Sequence, residues 1–457
     1  MFYIKGENKV IRTLILFFIL SLLFDGVFRK WFLAPLSAPL MMIKQILAII
    51  ICLKSITVFP IMSLWEKSFA LIGLIALITT LLFGHQNIMV ALYGCIPFWF
   101  GLPLCFIIGK KLQSTDLFII SRIIIYTGIL NSILMIIQFN VSPSHILNFT
   151  GGEENAEIAN MVVSEMAGMF RPSGLFVHNT QSNLFMLLNF ALILYFFIKK
   201  SIINSNVLLF ALGLEVLACI CSASRTCIML HLGLMGYFLI FCINTQVRAQ
   251  IYKLLIYMIP IVCLVMFSTT GTKAISNLEK RFEEASKVQY GNVSTTKGTL
   301  NDIFYRNIGY NIEAIINPRT IDKKEVPTWG FGQGLSTQIG GRLIKTNQGR
   351  SGFALAEFDG LRIMCESGIL IGWSILFFRL GYVFRFLPKL PKYKHLKYSM
   401  TLSLYPPFFV SFYLITTWGN VFMSNFAFLC GGLFLAALRI EKNKYINEKN
   451  IIIPSNR

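Results

Sequence analysis

Twelve apolar stretches, each near the roughly 20 residues needed to cross a bilayer, alternate with polar connections along the chain: 11–28, 39–60, 67–84, 88–109, 116–139, 181–198, 205–222, 225–243, 251–267, 361–384, 399–417 and 420–438. The pattern predicts an all-α polytopic membrane protein with about twelve transmembrane helices. Gly94, Pro97, Gly101 and Pro103 interrupt the fourth stretch. It is expected to be broken or partly re-entrant, a form tolerated only where protein covers the freed backbone groups. Two connections are long, 140–180 and 268–352. The second is expected to fold as short helices over the bundle, with Ile303, Phe304, Ile308, Ile312 and Ile315 at near-helical spacing. The chain thus divides into spans one to nine over 1–267, a large polar loop at 268–352, spans ten to twelve over 353–438, and a Lys/Asn-rich tail at 439–457.

Basic residues then set the orientation. Lys54 and Lys67, Lys110 and Lys111, Lys199 and Lys200, Arg248 and Lys253, and the run from Arg379 to Lys397 fall on alternate connections. By the positive-inside rule these connections and both termini are cytoplasmic, and the two long loops share the far side. The loop at 268–352 carries twelve Lys/Arg against seven Asp/Glu, whereas 140–180 is acidic at Glu153, Glu154, Glu157 and Glu165. The two either meet over a shared site or are simply solvated. One short external connection, Asp25 to Phe32, breaks the charge rule with Arg29 and Lys30. It reads as an interfacial anchor built on Trp31 with a snorkelling Lys30, or as a contact for an anionic lipid head group.

Composition narrows the function classes. At 55% hydrophobic and 14% charged residues the chain is far more apolar than a soluble domain. Its net charge of +20 is dispersed in short clusters between apolar runs, which removes the case for a nucleic-acid partner. The ten Cys lie in or beside apolar stretches without a CxxC pair, and the five His show no metal-binding spacing, so packing roles and no metal are expected. The first stretch lacks a small-residue cleavage site after Lys5, Lys9 and Arg12, and reads as a retained span.

Ionisable residues at span ends are functional candidates, and three stand out on the external side. Arg171 leads into the sixth stretch, Arg225 lies in the tight Ser222-Ala223-Ser224-Arg225-Thr226 connection, and Glu357 opens the tenth. Two guanidinium forks and a carboxylate beneath a basic loop suit a phosphate or pyrophosphate substrate. Individually each is also explained as an anchor or helix-cap partner. The run Gly330-Phe331-Gly332-Gln333-Gly334 lacks the Lys-Ser/Thr of a Walker motif, and reads either as an ordinary turn or as a backbone cradle for an anion.

The order of these pieces resembles the O-antigen polymerase and ligase superfamily, the Wzy- and WaaL-type membrane glycosyltransferases of bacterial surface-polysaccharide assembly. The resemblance rests on Arg171-Pro172-Ser173-Gly174-Leu175-Phe176 with Asn179, and on Ser222 to Thr226. Further pieces are Arg281-Phe282, Arg306 to Ile315, Pro327 to Gly334, Glu357, and Glu366 to Gly372. It covers about 165 to 375. The ligase branch typically has a His where this chain has Glu357, which favours the polymerase branch.

The resemblance implies a GT-C-like fold in the bacterial inner membrane and a metal-independent, inverting glycosyl transfer on the periplasmic face. Undecaprenyl-pyrophosphate-linked glycans would be the substrates, no cofactor is needed, and a chain-length regulator and a flippase are possible partners. Glu357 is then the expected general base, with Asp359 in reserve or else a helix N-terminal charge. Arg225 and Arg306 join it as catalytic residues, and Arg171, Arg281, Asn179 and Gly332 bind pyrophosphate or glycan. A ligase, and a secondary transporter of an anionic or lipid-linked solute, are the competing expectations. Against the transporter stand the absence of two related halves and the gathering of charge on one face.

Overall fold

A computed structural model describes residues 2–149, 171–199, 203–241, 245–290, 312, 316–320, 325–337, 340, 344, 359–393, 399–414 and 420–452. The described residues are helical throughout apart from turns and one isolated β-bridge between Arg319 and Glu325. In chain order the main helices are α1 Phe2–Val27, α2 Ser37–Lys54, α3 Leu64–Phe83, α4 Ile88–Ile96, α5 Leu102–Lys111, α6 Ser114–Asn140 and α7 Asn179–Lys199. They continue as α8 Ser205–Cys221, α9 Arg225–Phe241, α10 Thr245–Phe267, α11 Thr269–Tyr290, α12 Asp359–Phe384, α13 Met400–Phe409 and α14 Val421–Ile452.

Seven helical segments among the described residues are long and apolar enough to cross a membrane: Asn8–Phe32, Leu64–Phe83, Ile88–Lys111, Ser114–Asn140, Asn179–Lys199, Asp359–Leu390 and Val421–Lys444. The other predicted stretches coincide with α2, α8, α9, α10 and α13, of which α8 and α9 are apolar but only 17 residues each. The interrupted fourth stretch is one bent helix. A π-helical turn at Pro97–Gly101 joins α4 to α5 and absorbs the missing proline donors without breaking the path. At the centre lies α7, whose residues Leu184 to Ile198 are all buried. Its neighbour α14 packs closely on α5, where Gly432 lies against Ile108 and Gly109 against Leu435, small residues letting the helices approach.

The connections sort onto two ends. At one, Arg12 pairs with Asp116, Lys111 donates to Asn8 at 2.6 Å, Arg439 caps the Lys110 and Leu112 carbonyls, and Glu441 accepts from Ser399 at 2.8 Å. The ends of α1 and α14 therefore share an end with the 109–116 and 399 connections, the grouping that the charge pattern predicts. At the opposite end Lys30 meets Ser173, Trp31 Nε1 donates to the Ile146 carbonyl at 3.1 Å, and Thr270 donates to Asn140 at 3.1 Å.

The large polar loop opens in helix, in line with the helical expectation, though in one 22-residue helix: α10 is followed at once by α11, whose Ala274 is buried against Phe139 and Cys221. The helix expected over 301–316 lies almost wholly outside the described residues. One expectation changes: α12 is not one rod. Asp359 Oδ2 is 2.5 Å from Arg379 Nη1, yet 20 residues of straight α-helix would separate them by about 30 Å. The chain doubles back at Gly368, which has φ 75° and ψ 177°, so that Asp359–Ser367 runs beside the limb beginning at Ile369.

Candidate functional site

The segment from Arg171 to Asn179 is held by side chains from three helices. Gly174, at φ 61°, turns it inward. Its amide donates to Gln138 Oε1 at 2.8 Å, and the Leu175 amide donates to Asn131 Oδ1 at 2.9 Å, both acceptors on α6. Asn131 in turn donates to Ser182 of α7 at 3.0 Å. Beneath the segment Lys30, 1% exposed, donates to Ser173 Oγ at 3.0 Å and to the Gly174 and Phe176 carbonyls, each at 2.9 Å. A fully buried ammonium is tolerable only with its three protons satisfied. Lys30 is therefore a strap and does not snorkel. Its neighbour Arg29 is also buried, at 3.2 Å from Asp25, which forms an ion pair with Lys44 as well at 2.6 Å. Both cations that broke the charge rule are thus committed to protein partners, which displaces the lipid-head-group reading.

Asn179 opens α7 and donates to the Pro172 carbonyl at 2.8 Å. One turn on, Asn183 donates to Asn179 Oδ1 at 3.1 Å and to Ser224 Oγ at 3.0 Å. Ser224 caps α9, accepting from the Cys227 amide at 3.3 Å, and Arg225 is the first residue of that helix. Asn183 thereby couples the two arginine motifs named from sequence, and Arg171 and Arg225 are both half-buried at the same end of the bundle. Asn179 itself is buried and acts through the backbone of its own motif, holding the segment's shape. His178 is pushed below the ordinary imidazole pKa by burial, and its Nδ1 accepts from the Thr180 amide at 3.2 Å, which places the proton of the neutral ring on Nε2.

Helix α11 docks on this same end through Ala274, and Arg281 lies on it two turns further along. Arg306 and Glu357 lie outside the described residues, as do Glu153, Glu154, Glu157 and Glu165.

The remaining two sequence candidates sit elsewhere. The Gly-rich run is wedged between the α3–α4 connection and the apex of α12. Phe331 donates to the Cys365 carbonyl at 2.7 Å, Gly332 to the Glu366 carbonyl at 3.0 Å, and Gln333 to Thr80 Oγ1 at 2.9 Å. Three consecutive amides are committed to protein acceptors, so Gly332 serves as a joint, and the anion-cradle reading of its amide is corrected. Gly330 and Gly368, both at positive φ, lie backbone to backbone, and a Cβ on either would overlap the other's main chain.

Asp359 fits the helix N-terminal reading, as the first residue of α12, and the substrate-contact reading is corrected: it is buried in the bundle, 2.8 Å from Arg362 and 2.5 Å from Arg379. Arg379 also donates through Nε to the Phe412 carbonyl at 3.0 Å. One carboxylate is shared by two buried guanidiniums, which makes Asp359 their structural counter-ion. Between this hairpin and α4 is a cleft lined by Gly94, Pro97, Gln333, Arg362 and Glu366, with Glu366 accepting from the Ser336 amide at 2.8 Å.

Sequence reasoning passed over Lys30 as a strap and Asn183 as a coupler. Asn183 is legible in retrospect as a polar residue four positions after Asn179 on one helix face. The chain matches no family model, no curated protein and no solved structure.

Proposed function

We propose that the protein is a surface-polysaccharide polymerase of the O-antigen type, joining undecaprenyl-pyrophosphate-linked oligosaccharide units at the end of the bundle that bears Arg171 and Arg225. In this reading the chain crosses the bacterial inner membrane twelve times with both termini cytoplasmic, and the reaction is periplasmic. The observation that carries it is the Asn183 bridge, which ties the Arg171 and Arg225 motifs into one unit under a helix carrying Arg281. Arginines carried at one end on motifs that uncharged amides join suit a pyrophosphate, whose oxygens accept two donors per fork.

The acceptor hydroxyl attacks the anomeric carbon of the donor glycan while the bond from that carbon to the pyrophosphate oxygen breaks. Its proton passes to Glu357, and the electron pair leaves with undecaprenyl pyrophosphate, whose developing charge Arg171, Arg225, Arg281 and Arg306 stabilise. A chain-length regulator and a flippase supplying the lipid-linked units are the natural partners.

A polysaccharide gel on a deletion strain tests this first. Loss of long chains, with a single repeat unit remaining, supports polymerisation. Accumulation of long carrier-linked chains would instead identify a ligase. Arg225→Ala and Arg306→Ala are expected to abolish polymer at normal membrane abundance, with Lys rescuing only in part because it offers no bidentate fork. Wild-type ladders from both would sink the pyrophosphate assignment.

A second reading has its own observation. The doubled-back α12 beside the bent α4–α5 places Asp359, Arg362 and Arg379 inside the bundle, as transporters place broken helices around a solute. Exchange of a lipid-linked or anionic solute by reconstituted protein, with an unchanged ladder in the deletion strain, would favour it.

A further inference from the structure

Helices α8 and α9 form a hairpin whose facing sides bring together side chains that sequence spacing left apart. Glu215 and Cys219 lie one turn apart on α8, Cys227 and His231 one turn apart on α9. Across the pair, Cys219 Sγ is 3.3 Å from Cys227 Sγ, and His231 Nδ1 is 4.0 Å from the first sulfur and 3.8 Å from the second. All three residues are inside the bundle, among apolar neighbours that include Met135, Met186 and Ala218, with the Phe190 ring 4.9 Å from the imidazole.

These are the spacings of three ligands around one ion. Zinc bonds of about 2.3 Å to sulfur and 2.0–2.1 Å to nitrogen, at tetrahedral angles, put the sulfurs about 3.8 Å apart and each sulfur about 3.6 Å from the nitrogen. The observed distances differ from these by at most about half an ångström, within the reach of side-chain rotation about χ1. Glu215 completes the arrangement from behind. Its Oε1 is 3.5 Å from His231 Nε2, and among the described residues neither atom has a hydrogen-bond partner, while its Oε2 accepts from Asn189 Nδ2 at 2.8 Å. A ligating histidine normally donates its second ring N–H to such a carboxylate. His231 Nδ1 also lies 2.8 Å from the Cys227 carbonyl, a helix contact that ligation would replace.

We propose that Cys219, Cys227 and His231 bind one thiophilic divalent cation of the zinc class, with Glu215 as the carboxylate that orients His231. Binding exchanges two thiol protons for the ion, forming two sulfur–metal bonds and one nitrogen–metal bond. Charge selects the valence: two thiolates neutralise a divalent ion, whereas a monovalent ion would leave the bound sulfurs with a net negative charge in apolar surroundings. The three ligands leave a fourth coordination position open, and the ion they hold acts as a clip between the two helices. It pins α8 to α9 one turn inside the Ser222–Ser224 connection, fixing the hairpin that presents Arg225. The inference stands on these helices alone, whichever reaction the protein performs.

Full-length protein purified in detergent under reducing conditions should retain close to one zinc per chain. After chelation, Co(II) titration should give the intense thiolate-to-metal charge-transfer band at equimolar saturation. Cys219→Ser and Cys227→Ser are expected to abolish that band, and Glu215→Gln to weaken affinity by about 10–100-fold. Cys221→Ser removes a thiol two residues from Cys219 that packs against Phe139 and Ala274 instead, and should change nothing. The wild-type titration needs no variant to be decisive. Absence of the charge-transfer band in reduced wild-type protein, or equal zinc content in a folded Cys219→Ser/Cys227→Ser variant, would overturn the proposal.

Discussion

The two glycine- and arginine-bearing corners of the molecule are held together in different ways. At the corner built on Arg171 and Arg225, the groups that shape the segment are Asn131, Gln138, Asn179, Asn183 and Ser224, all uncharged, with buried Lys30 satisfied by two carbonyls and a hydroxyl and the Asp25, Arg29 and Lys44 cluster beside it. At the corner built on α12, Asp359 takes up Arg362 and Arg379 within the bundle. Hydrogen bonds between uncharged groups shape the backbone turn of the first corner, whereas a carboxylate shared by two guanidiniums holds the second. The first corner keeps its shape without drawing on the charge of its arginine motifs, and the second depends on its charges for its fold.

That contrast breaks most readily at Asp359. Asp359→Ala leaves two buried guanidiniums without their shared counter-ion, and removing one partner of such a set costs about 3–5 kcal/mol. Loss of monodisperse protein on size-exclusion chromatography is the expected result, and a variant as stable as wild type would show the charges to be solvated. Gly368→Ala comes next. It forces a Cβ into the main chain of Thr328 to Gly330 at a positive φ, and should lower stability by roughly 1–3 kcal/mol in thermal melts. Lys30→Met removes the donor for three acceptors at the other corner, costing about 1–3 kcal/mol for polar groups left unsatisfied. Under the polymerase reading it also shortens the polymer, which Gly368→Ala at matched stability should do less. The smallest stability effect belongs to Asn183→Ala, about 0.6–1.7 kcal/mol for an interhelical hydrogen bond in a membrane protein. Its effect on polymer yield should be out of proportion to that figure, because it uncouples Arg171 from Arg225. Polymer yield falling only in step with abundance would refute the coupling.

The helices were legible because runs of Ile, Leu and Phe between Lys and Arg clusters admit few alternatives in a bilayer. The fourth stretch was legible as irregular, since Pro97 and Pro103 lack the donors that a regular helix needs, but the expected break or re-entrant turn is a single π-helical turn in a continuous helix. Gly368 was not, because hydropathy is blind to φ and 361–384 reads as one apolar run. Lys30 was misread for a related reason: whether a lysine near a span end rises to water or turns inward depends on acceptors more than 140 residues away. Cys219 and His231 likewise looked scattered, since their meeting is set by the packing of α8 on α9 and not by spacing along the chain. Arg171 and Arg225 were legible as motifs, but the residue joining them belongs to neither.

Lys30 also has a consequence for biogenesis. Asp25 finds Lys44 within one helical hairpin, so that pair forms as soon as α2 emerges. The three acceptors of Lys30 lie 143 to 146 residues later in the chain. At about 5–20 residues per second, translation takes roughly 7–30 s to deliver them. Throughout that interval the first span must hold an unmatched ammonium at the lipid boundary or in the care of the insertion machinery. Closure of Lys30 onto Gly174 and Phe176 is thus a late assembly step, open only to a chain that has been made at least as far as its sixth apolar stretch.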